Sequence, residues 1–322
     1  MNPNTFNEPM NKCFIYGKSG YSSKWENQVS APDMEIADYR QEGNIRHFYL
    51  VAEPIKHNIL SNLTIEALGY NKTTPGPLII MKQGEWIYLT VENRMEHPTS
   101  LHVHGLSKPN SQDGAPDIEP TTPRIEPGKS YTYKFLCWQA GTFFYHSPEA
   151  FQVAQGLIGA FIVLPRDEYI SPYLIPHHDY VLLIQQWEIP QPELGKVFPG
   201  TYKPNKFDRN PNFFTINGKS FPDTSPIYFR LGEKIRIRFI TKTSQSHSMH
   251  LHGHDFRVVS INGFPRPGFW DDTIDVASGR RVDVELIANN PGIWPLNGTK
   301  TFHQSNNGES PGGMITKIVY VK

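Results

Sequence analysis

The chain has 322 residues, enough for two domains that each bury a hydrophobic core. Its 31 basic and 31 acidic residues cancel, which argues against a surface that binds nucleic acid or an anionic membrane. No apolar run approaches the roughly 20 residues of a membrane span, and the polar N-terminus lacks the apolar segment of a secretory signal. We therefore expect a cytoplasmic protein whose partners include neither nucleic acid nor membrane.

Hydrophobic patterning predicts an all-β fold preceded by an arm. Residues 1–44 are polar and aperiodic, which indicates an extended arm, with a neighbouring chain as one surface it can wrap. From about residue 45 short apolar runs alternate with Gly- and Pro-containing turns, while residues 189–204 and 208–212 are predicted loops. The predicted strands are Phe48–Ala52, Leu78–Met81, Trp86–Val91, Tyr131–Phe135, Phe143–Tyr145 and Ile158–Leu164, then Val181–Gln186, Ile227–Arg230, Ile235–Ile240, Arg257–Ile261, Val282–Ile287 and Ile315–Val321.

The two halves of the chain repeat one order of elements. Each half contains a strand, a Gly-Glu turn, a second strand, a loop and a pair of histidines, and later an aromatic strand that leads to another histidine. Such a duplication predicts two copies of one β-sandwich. We place the first domain at residues 45–168 and the second at residues 169–322, with residues 1–44 as the arm.

Each half holds a pair of histidines two residues apart, His102 with His104 and His250 with His252. Because side chains at i and i+2 of a strand point to the same face, each pair is directed towards one point. Neutral imidazole is a common ligand of copper, zinc and iron. Two pairs in matching contexts therefore predict a transition-metal site, with ordinary surface or hydrogen-bonded histidines as the alternative.

The motifs around these pairs resemble those of two-domain multicopper oxidases, the group that contains small laccases and is related to copper nitrite reductases. The similarity covers roughly residues 45–322 and is most specific in LHVHG, QDGAP, GTFFYHS, HSMHLHGHDF and NNPGIW. It implies two tandem cupredoxin-like Greek-key β-sandwich domains. It also implies a trinuclear copper cluster held by four His-x-His motifs and linked through His-Cys-His to a type 1 copper, which two histidines, the cysteine and a methionine bind.

The resemblance assigns five histidines to the cluster. His102 and His250 match the ligands of the type 2 copper. His104, His146 and His252 match ligands of the type 3 copper pair. The second histidine of the motif that begins at His146 is missing, so the type 3 positions are depleted.

The resemblance also assigns residues outside the cluster. His247 matches the first histidine of the type 1 copper, and Met314 matches its axial ligand. Asp113 matches an acidic residue associated with proton delivery, although it can equally cap its own Asp-Gly turn. His254 is expected to hydrogen-bond behind the site rather than to bind metal.

The His-Cys-His motif itself is absent, and two alignments remain open. If Trp294 is the anchor, the three positions are Asn297-Gly298-Thr299 and His303 takes the place of the second type 1 histidine. If Met314 is the anchor, the positions are His303-Gln304-Ser305 and Glu309 takes the type 1 place; we favour this alternative, in which His303 reaches the cluster. Neither alignment supplies a cysteine, and a blue copper site depends on a thiolate ligand.

Without a type 1 copper, the usual route for electrons from a remote substrate is broken. The resemblance then implies a copper-dependent oxidoreductase that acts on a small, aromatic or phenolic molecule at a reduced interdomain copper site, with dioxygen as a second reactant and Asp113 as proton donor or acceptor. The alternative is a catalytically degenerate relative with a copper-binding or structural role. In two-domain members, domain one of one subunit meets domain two of the next, which implies a homotrimer.

Overall fold

The computed structural model describes residues 25–116, 122–149, 151–166 and 174–322. Within these ranges the chain forms 22 β-strands and short 3-10 turns but no α-helix, which confirms the predicted all-β class. No helix in the described ranges is long and apolar enough to span a membrane. All the predicted strands lie within or overlap observed ones.

The strands fall into two series along the chain. The first is β1 (Val29–Ser30), β2 (Arg40–Glu42), β3 (Ile45–Leu60), β4 (Leu63–Tyr70), β5 (Gly76–Lys82), β6 (Glu85–Asn93), β7 (His102–His104), β8 (Ser130–Cys137), β9 (Gly141–His146) and β10 (Ile158–Leu164). The second is β11 (His178–Trp187), β12 (Gly200–Tyr202), β13 (Phe213–Ile216), β14 (Ile227–Phe229), β15 (Lys234–Thr241), β16 (His247–Leu251), β17 (Phe256–Ile261), β18 (Phe264–Asp271), β19 (Thr273–Val276), β20 (Arg281–Ile287), β21 (Ile293–Gly298) and β22 (Ile315–Tyr320). The 3-10 turns include Glu26–Gln28, Asn110–Gln112 and Thr301–Gln304.

Each domain is a sandwich of two sheets. In the first domain, β12-β4-β3-β6-β8, with β2 beside β3, faces β5-β10-β9-β7. In the second, β1-β11-β15-β20-β17-β18, with β13 beside β11, faces β14-β22-β21-β16-β19. Alternate residues of β6, such as Ile87, Leu89 and Val91, are buried, because the period of two directs them into the core. The arrangement confirms the predicted pair of cupredoxin-like domains.

A separate hydrophobic cluster contains residues of both domains. Every residue of β10 is buried, which is typical of a strand covered on both faces. Leu78 and Ile162 of the first domain belong to the same buried cluster as Val181 and Leu183 of the second. The domains are therefore held together by apolar packing near β9, the strand that ends at His146.

Residues 25–44 of the predicted arm pack against their own chain. Strand β1 pairs in parallel with β11, and Nε1 of Trp25 donates to Oδ2 of Asp179 at 2.6 Å. The segment predicted to be a loop at 189–204 contains β12, which pairs with β4 of the other domain. Residues 1–24 lie outside the described ranges.

Candidate metal centres

Three histidines of the first domain meet where β7 pairs with β9. His102 and His104 lie two residues apart on β7, and His146 is the direct cross-strand partner of His102. One ligand nitrogen from each of the three lies within 4.8 Å of the others. The strand register alone therefore builds a three-imidazole site from the predicted residues.

In His102 and His146, Nδ1 is hydrogen-bonded, which leaves Nε2 free to bind a metal. Nδ1 of His102 donates to the carbonyl oxygen of Asp113 at 2.8 Å, and Nδ1 of His146 donates to that of Ser147 at 2.8 Å. Metal-binding histidines usually make such a bond with the second ring nitrogen, which fixes the tautomer. Nε2 of His146 is buried and has no hydrogen-bond partner in the described part of the chain. These donors fit copper, which imidazole nitrogen suits.

The imidazoles of this site are neutral at pH 7. Burial, reinforced by the charge of Arg281, lowers the pKa of His104 to about 4. Burial lowers the pKa of His146 to about 3, and burial also lowers that of His102. Only the neutral ring has a lone pair to offer a metal, so binding requires no deprotonation at physiological pH.

His250 and His252 form a second, separate pair in the other domain. Their ring centroids lie 4.6 Å apart, and Nδ1 of His250 donates to the carbonyl oxygen of Asp272 at 2.9 Å. The group of three ligands found in the described residues does not include them. The chain thus holds two partial sites, one for each His-x-His motif.

Strand β16 separates its histidines between two faces. His247, Met249 and Leu251 are buried, whereas the side chain of His250 keeps 26% of its exposure. Alternation along the strand therefore sends His247 into the sandwich and His250 to the outside.

His303 lies inside the sandwich beside His247 and is not among the three first-domain histidines that converge. The Nδ1 atoms of the two rings are 3.5 Å apart. A Cβ placed on Gly298 would lie 3.5 Å from Nδ1 of His303 and 3.4 Å from Sδ of Met314. This grouping, with His303 beside His247 and with His303 and Met314 next to Gly298, agrees with the alignment anchored on Trp294, which puts Gly298 at the cysteine position.

No other described residue supplies the missing thiolate. Cys137, the one cysteine in the described ranges, is fully buried in β8 of the first domain. Burial raises the pKa of its thiol well above the usual value. It is a core residue, as predicted for a strand cysteine.

Asp113 is paired with a lysine that the sequence did not single out. Nζ of Lys108 lies 2.9 Å from Oδ1 of Asp113, and Oδ1 lies 3.4 Å from Nδ1 of His102. The Lys108 side chain is only 2% exposed. Burial acts to raise the pKa of Asp113, but the hydrogen bond and charge of Lys108 outweigh it and leave that pKa below its usual value. Asp113 is therefore ionised and held in place at neutral pH.

Other residues near these sites have clear structural roles. His254 uses both ring nitrogens, at 2.9 Å from the carbonyl oxygen of His252 and 2.6 Å from the hydroxyl of Tyr320, which confirms its predicted hydrogen-bonding role.

A Cβ on Gly279, in the second domain, would lie 3.6 Å from Cε1 of His104 and 3.9 Å from Cδ of Lys242. No sequence pattern marks Gly279 or Lys242, because only the packing of the two domains brings them to His104.

Two cupredoxin-like domains that carry paired histidines indicate a copper oxidase, and this class can be checked by comparing the chain with known proteins. Two family models described as multicopper oxidase match residues 52–168 and 191–307. The chain therefore belongs to the multicopper oxidase family, which confirms the resemblance seen in the sequence. Membership implies copper as the cofactor.

Individual relatives agree with this assignment. The chain is 31% identical to Laccase-3 of Thanatephorus cucumeris, over 67% of this chain and 40% of that protein, and 27% identical to a multicopper oxidase of Mycobacterium tuberculosis, over 72% and 50%. It thus spans half or less of the length of these curated relatives. Among solved structures, the blue copper oxidase of Nitrosomonas europaea has a TM-score of 0.75 at 31% identity, with 86% of each chain covered. The multicopper oxidase mgLAC has a TM-score of 0.73 at 30% identity, again with 86% of each covered.

Proposed function

We propose that this protein is a copper-dependent oxidoreductase of the multicopper-oxidase type that works without a type 1 copper. Its substrate is a small molecule, with phenols and other aromatic reductants as the first class to test, and dioxygen is the oxidant. The observation that carries the proposal is the convergence of His102, His104 and His146, with a buried and unpartnered nitrogen on His146.

Different residues would have different roles at such a site. The three imidazoles would hold the metal, and the carbonyl of Asp113 would fix the ring of His102. The carboxylate of Asp113, charged beside Lys108, is placed to accept or hold a proton from a substrate bound next to His102. Copper, when bound, supplies one-electron chemistry between a reductant and dioxygen. Because no thiolate pathway leads to a remote site, the reductant must bind close to the metal.

A second subunit would complete the site. His250 and His252 face outward from the second domain and are not grouped with the first-domain histidines of their own chain. A head-to-tail ring joins the first domain of one subunit to the second domain of the next, and such heterologous contacts close when the rotation fits. A homotrimer with three equivalent interfaces is the assembly that we propose.

Mixing two defective chains tests the site and the assembly together. One chain carries H102A and H104A, and the other carries H250A and H252A. Neither forms a complete interface alone, but a random mixture restores roughly a quarter of the interfaces. We expect copper content and oxygen uptake to recover in co-expressed protein. A mixture as inactive as either parent, despite a wild-type sedimentation coefficient, would contradict the shared site.

The second candidate function is a copper-binding or structural role without catalysis. Two replacements in the chain favour it: Gly298 at the thiolate position, and Pro148 where the second histidine of the motif that begins at His146 would stand. Oxygen uptake with a panel of phenolic reductants separates the alternatives in copper-loaded wild-type protein. Stoichiometric copper without substrate-dependent oxygen uptake, in a panel that a control laccase oxidises, would favour the structural role.

A further inference from the structure

A lysine of the second domain borders the three-histidine site of the first. Lys242 directly follows β15, and its stem and the ring of His104 lie on either side of Gly279. Burial is the main cause of the low pKa of His104 and of His146, and the positive charge of Lys242 contributes to both. The ammonium group of Lys242 is therefore near the site, on the side of these two rings.

Lys242 has no anionic partner in the described ranges. Its side chain is partly buried, yet its ammonium group makes no hydrogen bond or ion pair with any described residue. Asp208 lines the same crevice, but its Oδ2 already accepts from Nε2 of Gln186 at 2.7 Å and from N of Ser244 at 3.2 Å. A partly buried cation without a counter-charge is costly, so a bound anion would stabilise it.

Arg281 adds a second positive charge but cannot receive a ligand. It is 3% exposed, and its guanidinium donates to three backbone carbonyl oxygens, those of Thr142, Asn262 and Gly279, at 3.2, 3.0 and 2.9 Å. The buried carboxylate of Asp283 offsets part of this charge. Even so, the charge of Arg281 lowers the pKa of His104. Of the two cations, only Lys242 has an ammonium or guanidinium group free for a ligand.

The two sides of the site therefore differ in charge. Oδ1 of Asp113 lies 3.4 Å from Nδ1 of His102, so this side carries a carboxylate that is paired with Lys108. The side of His104 carries the unpaired ammonium group of Lys242. A molecule that lies across the three rings would meet an acceptor at one end and a cation at the other.

We propose that the reductant at this site is an anion, a carboxylate-bearing molecule whose acid group pairs with Lys242. The inference rests on the proposed oxidase function, because it names the substrate class of the same site. A simple phenol, with a pKa near about 10, is uncharged at neutral pH, so it would not provide this contact. Lys242 binds the acid group and takes no part in electron or proton transfer.

Equilibrium binding tests the contact without turnover. Benzoate and benzamide have nearly the same shape but differ in charge, and neither has a phenolic hydroxyl. By titration calorimetry on copper-loaded protein, wild type should bind benzoate roughly tenfold more tightly than benzamide, as expected for a hydrogen bond between charged groups. Added salt should reduce this preference.

Variants of Lys242 separate its contribution from that of the metal. K242M should lose the preference for benzoate and K242R should keep it, as should K56M, which changes an exposed lysine of β3. A preference that K242M leaves unchanged would overturn the proposal, because the copper alone would then account for anion binding. Equal affinities for benzoate and benzamide in wild type would overturn it as well.

Kinetics test the same contact in the reacting substrate. The pair is 4-hydroxybenzoate and its neutral methyl ester, followed by oxygen uptake. K242M should raise the KM for the acid roughly tenfold more than the KM for the ester, and an equal change for both would overturn the proposal. If wild type oxidised neither, the proposed oxidase function would fail, and the calorimetry alone would decide whether Lys242 binds a carboxylate.

Discussion

His102 and His146 face each other as direct cross-strand partners on β7 and β9. Opposite residues of an antiparallel pair are fixed by the register of the sheet, so the two rings are placed before any metal arrives. The hydrogen bonds of both Nδ1 atoms to carbonyl oxygens then set which nitrogen faces the site. The first-domain half of the centre is preorganised by backbone structure.

Loss of one of these rings should weaken copper binding without unfolding the protein. Removal of a group that merely orients a metal ligand costs roughly 10–100-fold in affinity, so H146A, which removes a ligand, should cost at least as much. H97A is the matched control, because His97 is exposed and carries no metal motif. Competitive copper titration with both variants checks this. Equal affinities would show that His146 is not a ligand.

The carboxylate of Asp113 should affect turnover more than copper content. The backbone carbonyl of Asp113, not its side chain, accepts the hydrogen bond from His102 at 2.8 Å, and D113N preserves that carbonyl. We expect the turnover number to fall by about 100-fold, a typical loss for a proton-transfer group. The bound copper should stay unchanged, as it should in the surface control D38N. Loss of copper in D113N would instead assign the side chain to positioning His102.

Arg238 should be essential for stability because it joins the domains from a buried position. Its Nε and Nη2 donate to the two carboxylate oxygens of Asp179 at 2.7 Å each, and Nη1 donates to Oγ1 of Thr142 in the other domain at 2.7 Å. Breaking a buried ion pair by removing one partner costs about 3–5 kcal/mol. Urea unfolding of R238M should show a loss of that order. R94M, which disrupts an exposed pair with Glu92, should leave the midpoint unchanged.

The protein should lose stability as the pH falls below about 6.5, in part through His57. Nε2 of His57 donates to the carbonyl oxygen of Gly218 at 2.8 Å, and burial lowers the pKa of the ring. The unfolded chain then takes up a proton that the folded chain resists, so the stabilisation is complete above the unfolded pKa and declines towards the folded one.

H57Q tests this pH dependence, because it keeps a side-chain donor but removes the titration. The difference in unfolding midpoint between pH 7.5 and pH 5 should be smaller in metal-free H57Q than in metal-free wild type. The exposed His97 supplies the control variant H97Q, which should behave like wild type. An unchanged pH dependence in H57Q would remove His57 from the explanation.

Periodicity predicted the sheets and the direction of the paired histidines, since both follow from alternation along a strand. It did not predict β18, because the prolines at 265 and 267 argue against a strand and are tolerated only at a sheet edge, where β18 lies. The sequence did not single out Lys108, and it left the position of His303 open between two alignments. His303 lies in the turn Thr301–Gln304, whose direction depends on packing against Phe214 and His247 rather than on a local repeat.

The two faces of β16 place its histidines in two separate environments. His250 belongs to a surface that another subunit can cover, while His247, three positions earlier, belongs to an interior that a single subunit closes by itself. A substitution at position 247 is therefore expected to act first on the packing of one domain, whereas a substitution at position 250 is expected to act first on a face that another subunit can reach.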